Sequence, residues 1–152
     1  MKRLFIYGLI VSCFTVNILC SCEKEEGGQS YKKIETTTTS KITKPTVSVS
    51  SAKANSTYDG WWVIAKVTTG GDDPSNVECY LEWSKFSKKQ TGPINYTNRD
   101  KMNVQSSSST QVLFKKEHAG INSGTYIYYR LVGNNSKYST TGAASYMVAT
   151  KY

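Results

Sequence analysis

The run Val77-Glu78-Cys79-Tyr80-Leu81-Glu82-Trp83 alternates Val77, Cys79, Leu81 and Trp83 with Glu78, Tyr80 and Glu82 over seven positions. Side chains that alternate with period two share a face only on an extended chain, so this segment is a half-buried β-strand. The same alternation recurs along the chain. Val47 and Val49 alternate with serines. Trp61, Val63, Ala65 and Val67 alternate with Trp62, Ile64 and Lys66, and the run stops at Thr69-Gly70-Gly71-Asp72-Asp73-Pro74, a turn cluster. Gln111 to Lys115 reads as a short strand. Thr125 to Gly133 sets Ile127, Tyr129 and Leu131 against Tyr126, Tyr128 and Arg130, and a last strand covers Ala143 to Ala149. Weaker strand signals lie at Ile94 to Tyr96 and Met102 to Val104, inside a polar stretch from Ser84 to Ser109. No eight-residue stretch carries helical periodicity. About seven short strands between turn signals, in the 107 residues from 46 to 152, predict an all-β fold, a single β-sandwich.

The N-terminus is of another kind. Lys2 and Arg3 precede a sixteen-residue apolar stretch, Leu4 to Leu19, with the proportions of a secretory signal and short of the roughly 20 residues of a membrane-spanning helix. Leu19-Cys20-Ser21-Cys22 resembles the lipobox of bacterial lipoproteins. The resemblance implies cleavage before Cys22, lipid on Cys22 and a mature chain of 131 of the 152 residues, with 1–21 as signal peptide. Glu23-Lys24-Glu25-Glu26 behind that cysteine resembles the surface-export signal of Bacteroidota lipoproteins, which implies an outer-membrane protein facing outside. Residues 22–45 contain Gly27, Gly28 and the Thr36 to Thr39 run, with few large apolar residues. Such a segment buries too little to fold and reads as a flexible tether, reaching roughly 25 Å r.m.s. on flexible-chain scaling.

Removing the signal leaves Cys79 as the one cysteine of the predicted domain, which excludes an internal disulfide and a cysteine-based zinc site there. It also takes Lys2 and Arg3, lowering the net charge from +8 to +6. That excess suits solubility. It lacks the clustered stripe of a nucleic-acid binder, so no nucleic-acid partner is expected.

Ile121-Asn122-Ser123-Gly124-Thr125-Tyr126-Ile127, continuing through Tyr129, Leu131, Gly133 and Asn135, resembles the turn and following strand near the end of fibronectin type III domains. The resemblance implies a fibronectin type III-like, more broadly immunoglobulin-like, sandwich behind the tether. Ser123 stands where that family has proline, and Ile127 where it has its corner tyrosine. Fold alone implies no function, because sandwiches host many unrelated ones.

Residues able to carry catalysis are few. His118, the single histidine, sits beside Lys115, Lys116 and Glu117 and is expected to be solvent-exposed at a strand end. Cys79 is expected to be a buried, inert thiol, since a nucleophile needs exposure and a cationic neighbour. Asp59, Asp72, Asp73 and Asp100 read as loop carboxylates. Asp72-Asp73-Pro74 fits a turn with side-chain-to-backbone bonds better than a calcium loop. Neither a catalytic residue, nor a metal site, nor a cofactor is expected.

Aromatic residues remain. Where Val77, Cys79, Leu81 and Trp83 point inward, Tyr80 points outward, as do Tyr126, Tyr128 and Arg130 from the later strand. If the two strands are neighbours, Tyr80, Tyr126, Tyr128 and Arg130 share an outer sheet face, a composition suited to recognition and equally to cross-strand stabilisation. Trp62 points outward by the same parity, on the opposite sheet, unless a bulge at Asp59-Gly60 exchanges it with Trp61. The basic stretch from Lys85 to Lys101 reads as a solvated, mobile connection. The function expected is a non-catalytic surface lipoprotein, a small binding or accessory module for a glycan or a surface protein. An assembly subunit, or a small envelope hydrolase or inhibitor, is the alternative.

Overall fold

The structure, a computed structural model, describes residues 41–55 and 60–150. The expected signal peptide, Cys22 and most of the expected tether lie outside the described residues, as does Asp59. The domain is all-β: two antiparallel sheets stacked as a sandwich. Among the described residues nine strands are formed: β1 (Val47–Asn55), β2 (Gly60–Thr68), β3 (Glu78–Phe86), β4 (Asn98–Lys101), β5 (Asn103–Ser107), β6 (Gln111–Ala119), β7 (Tyr126–Asn134), β8 (Ser139–Thr141) and β9 (Ser145–Val148). One sheet has the order β1-β2-β6-β5; the other has β4-β3-β7, with β8 and β9 both on the far side of β7.

Period-two alternation fills the space between the sheets. Trp61, Val63, Ala65 and Val67 of β2 face Cys79 and Leu81 of β3 and Ile127, Tyr129 and Leu131 of β7, with Val112 and Phe114 of β6 closing the layer. At Gly133 the sheets approach closely, since a Cβ there would stand 3.0 Å from Val67 and 3.2 Å from Val47.

Five expectations need correction. Among the described residues the strands number nine because β8, which the sequence reading did not foresee, precedes the expected last strand, and because the segment around Met102 serves both sheets. Met102 is buried and its N–H donates to Cys79 O at 2.9 Å; the chain leaves one sheet as β4 and enters the other as β5 across it. Ile94 to Tyr96 forms no strand, and β6 runs on to Ala119 rather than stopping at Lys115.

The folded part also includes residues assigned to the tether. Pro45 is fully buried, and Thr43 N–H donates to Gly70 O at 2.8 Å. Lastly, the polar connection after β3 is tied down. Ser84 Oγ donates to Asn95 O at 2.8 Å and accepts from Thr97 N–H at 2.8 Å, so this stretch folds back over the sheet that it leaves.

Candidate functional site

The aromatic residues singled out by alternation fall on two opposite surfaces. Tyr80, Tyr126, Tyr128 and Arg130 lie on the outer face of the β4-β3-β7 sheet, as parity requires, and Trp62 lies on the outer face of the other sheet. They do not form one site.

On the tyrosine face, local partners take up most of the polar surface. Tyr80 Oη donates to Glu78 Oε2 at 2.8 Å, and the Arg99 guanidinium covers the ring at 4.6 Å. Lys101 pairs with the same Glu78, and this contact holds the Glu78 carboxyl below its ordinary range. Tyr128, expected in solvent, is buried. It pairs in register with Ser84, and the segment that covers Ser84 covers it too: Gln90 N–H donates to Tyr128 Oη at 2.9 Å and Tyr128 Oη donates to Gln90 O at 3.2 Å. Parity gave the direction of this side chain correctly, while a polar loop folding back removed its exposure. The open aromatic surface is Tyr126 with Tyr146, whose rings lie 6.2 Å apart, with Lys89 over Tyr146 at 5.7 Å. Tyr146 escaped the sequence reading, although alternation along β9 and its pairing opposite Tyr128 place it on this face.

On the other sheet β2 pairs in regular register with both neighbours from Gly60 through Trp62, while Asp59 lies outside the described residues. Trp61 is buried and Trp62 is partly exposed. The register sets Lys53 of β1, Trp62 of β2 and Glu117 of β6 in one row across the sheet. Where these strands end, Lys53, Asn55, Trp62, Glu117 and His118 surround a cleft of about 470 Å³, with Trp61 at its base. Lys115 Nζ stands 6.0 Å from the Trp62 ring centre. The cleft thus joins one partly open indole to an ammonium, an amide and a carboxylate. Lys53 and Glu117 could not be found from sequence, because only strand register brings them beside Trp62.

His118, expected in solvent, is packed instead. Its ring stacks on Trp61 with centres 4.3 Å apart and planes 14° apart, and it tilts against Trp83 at 4.8 Å. Since β6 continues to Ala119, inward parity carries from Val112 and Phe114 to His118, opposite Trp61 in register. Trp83 Nε1 donates to Asp100 Oδ2 at 2.5 Å, and His118 Nε2 stands 3.4 Å from that oxygen without a hydrogen bond. Burial pushes the His118 pKa down, against the pull of Asp100.

Cys79 is fully buried, and burial pushes its thiol up to about 12. Asp72 and Asp73 make the expected turn. Asp73 accepts from Ser75 N–H at 2.8 Å, while Asp72 accepts from Ser136 N–H at 2.7 Å and from Asn76 Nδ2 at 3.1 Å; the Ser136 side chain first, then Asn76 and the Ser136 N–H, hold its carboxyl well below the usual range. Asp100 belongs to β4 rather than to a loop. Among the described residues, no group of three or more His, Cys, Asp or Glu is placed to hold a metal ion.

No protein-family model matches the chain, and no curated protein or solved structure does either.

Proposed function

We propose that the protein is a non-catalytic envelope lipoprotein, anchored through lipid on Cys22, whose sandwich serves as a small glycan-binding module at the outer surface. The observation that carries this reading is the cleft beside Trp62. Sugar rings present a C–H face that packs on an indole and hydroxyls that need both donors and acceptors. Lys53 supplies donors and Glu117 supplies acceptors, and the cleft of about 470 Å³ has room for a saccharide unit. Few aromatic anchors in a partly enclosed pocket carry most of the energy in recognition sites of this kind.

The immunoglobulin-like assignment belongs to the same proposal. The orders β1-β2-β6-β5 and β4-β3-β7-β8/β9 correspond to A-B-E-D against C′-C-F-G in such sandwiches. The turn at Ile121 to Thr125, with Gly124 at φ 80°, supports the same reading.

The test is retention of the protein on a panel of neutral and acidic polysaccharides, alongside Trp62→Ala. Trp62 points outward, so the variant is expected to fold. Selective retention that falls at least tenfold in Trp62→Ala is expected; unchanged retention in the variant, or none on any polymer, counts against the glycan reading. A second reading, an assembly subunit, is favoured by β5: this strand is exposed at all five residues and, among the described residues, stands at the edge of its sheet with one side open to pairing with a strand of another chain. Elution as a complex that tolerates Trp62→Ala would support it.

A further inference from the structure

We propose that the outer face of the β4-β3-β7 sheet carries a second site, an arginine pair that takes an oxyanion group, whether a free sulfate or the carboxylate of an acidic saccharide. Arg99, Glu82 and Arg130 stand in one row across the three strands, each arginine directly opposite Glu82. Arg99 Nη1 donates to Glu82 Oε1 at 2.9 Å, and Arg130 Nε donates to Glu82 Oε2 at 2.6 Å. One carboxylate therefore orients two guanidiniums, and each of its oxygens is engaged by one of them.

A second contact fixes each guanidinium plane. Arg99 lies over Tyr80 at 4.6 Å, and Arg130 over Tyr96 at 4.8 Å. Stacking holds the plane and the Glu82 bond holds one point of its edge, so little freedom is left to lose on binding. A guanidinium has five N–H donors, and these bonds each use one nitrogen. The arginine side chains are 52% and 42% exposed while that of Glu82 is only 13% exposed, so the remaining cationic edges face solvent and the neutralised carboxylate lies beneath them.

The row carries two positive charges against one negative, and the neighbouring Glu78 and Lys101 cancel each other. Both arginines border a cavity of about 320 Å³, whose other walls include Asn95, Tyr96, Thr97 and Asn98. Held guanidinium edges with spare donors, a surplus positive charge and polar walls match a group with several acceptor oxygens. The site lies on the opposite sheet from Trp62, so it stands whether or not the glycan reading does.

The experiment is an NMR titration of the full-length protein that follows the Nε–H signals of Arg99 and Arg130. Sodium sulfate, acetate and galacturonate oligomers are added at constant ionic strength, with sodium chloride as control. Saturable shifts with sulfate and galacturonate, absent with chloride, are expected. In Arg130→Lys and Arg99→Lys, which keep the charge but lose the planar fork, affinity is expected to fall about tenfold or more. Trp62→Ala is expected to leave the shifts unchanged. Tighter binding of galacturonate oligomers than of acetate identifies an acidic saccharide as the source, and equal binding identifies a free anion. Shifts that never saturate, or that saturate equally in both lysine variants, overturn the proposal, because simple attraction to a basic surface gives that pattern. Arg99 lies on the edge strand β4, so its variant remains informative if Arg130→Lys fails to fold.

Discussion

Asn135 Nδ2 donates to the backbone carbonyl of Thr43, 2.8 Å away and 92 positions earlier in the chain. The same nitrogen donates to Thr69 O at 3.1 Å, and Asn135 Oδ1 accepts from the N–H groups of Lys137 and Tyr138. One amide thus joins the segment before β1, the turn after β2 and the turn after β7. Removing it strands buried acceptors, which costs roughly 2 kcal/mol. Asn135→Ala is therefore expected to lower the urea midpoint and to speed protease cleavage near residues 41–46. Asn135→Asp is expected to do the same, because a carboxylate donates nothing to two carbonyls. An unchanged midpoint in both variants would contradict this assignment.

Half of that relationship was legible in the sequence. Asn135 stood out as the residue that closes the strand pattern begun at Ile121, whereas Thr43 fell in a segment with too few apolar residues to suggest folding. Composition reports what a segment can bury by itself and is silent about backbone bonds to another turn. The same divide explains the sites. Alternation put Trp61 inside and Trp62 outside, because side-chain direction is a local property of a strand. It placed Tyr128 outward but not in solvent, because the covering segment around Gln90 makes its contacts through backbone groups common to any sequence. Neither Lys53 beside Trp62 nor Arg99 beside Glu82 was visible, since each pairing depends on strand register.

The stack of His118 on Trp61 makes stability sensitive to mild acid. Burial lowers the His118 pKa in the folded chain, with Lys116 and Lys85 adding to the effect and Asp100 opposing it. Below about pH 6.5 the unfolded chain therefore takes up a proton that the folded chain resists. The corresponding stability is present above that pH and is lost as the pH falls towards the folded value. His118 is the only histidine, so among the side chains it dominates the slope of unfolding free energy between pH 7 and 6, above the range in which the lowered carboxyls Asp72, Asp73 and Glu78 take up protons in the unfolded chain. His118→Phe keeps a ring against Trp61 and is expected to flatten that slope. A slope that persists in the variant would rule His118 out as its source.

Tyr128 ties the covering segment to the sheet with its hydroxyl and packs edge-on against Phe86, with ring centres 5.7 Å apart. Tyr128→Phe keeps the packing and removes the two bonds to Gln90. The expected loss is about 1 kcal/mol, with faster amide exchange at Gln90 and little change in the core. Tyr128→Ala also removes a buried ring and is expected to cost several times more. Equal effects of the two substitutions would mean that the hydroxyl accounts for the whole contribution of the residue.

Cys79 provides an internal reporter of opening. Alkylation requires the thiolate, and burial pushes this thiol up to about 12, so at pH 8 the folded chain presents neither an ionised nor an accessible sulfur there. After exposure to iodoacetamide at pH 8, the peptide containing Cys79 is expected to be unmodified by mass spectrometry, and fully modified when urea is present. Val63, Phe114 and Leu131 belong to the same buried cluster, so an opening that frees the sulfur must separate the two sheets. Asn135→Ala, which weakens the turns at one end, is accordingly expected to raise the labelling rate in proportion to its loss of stability. Labelling as fast as a free thiol in the native protein would show that the sheets part readily around Cys79.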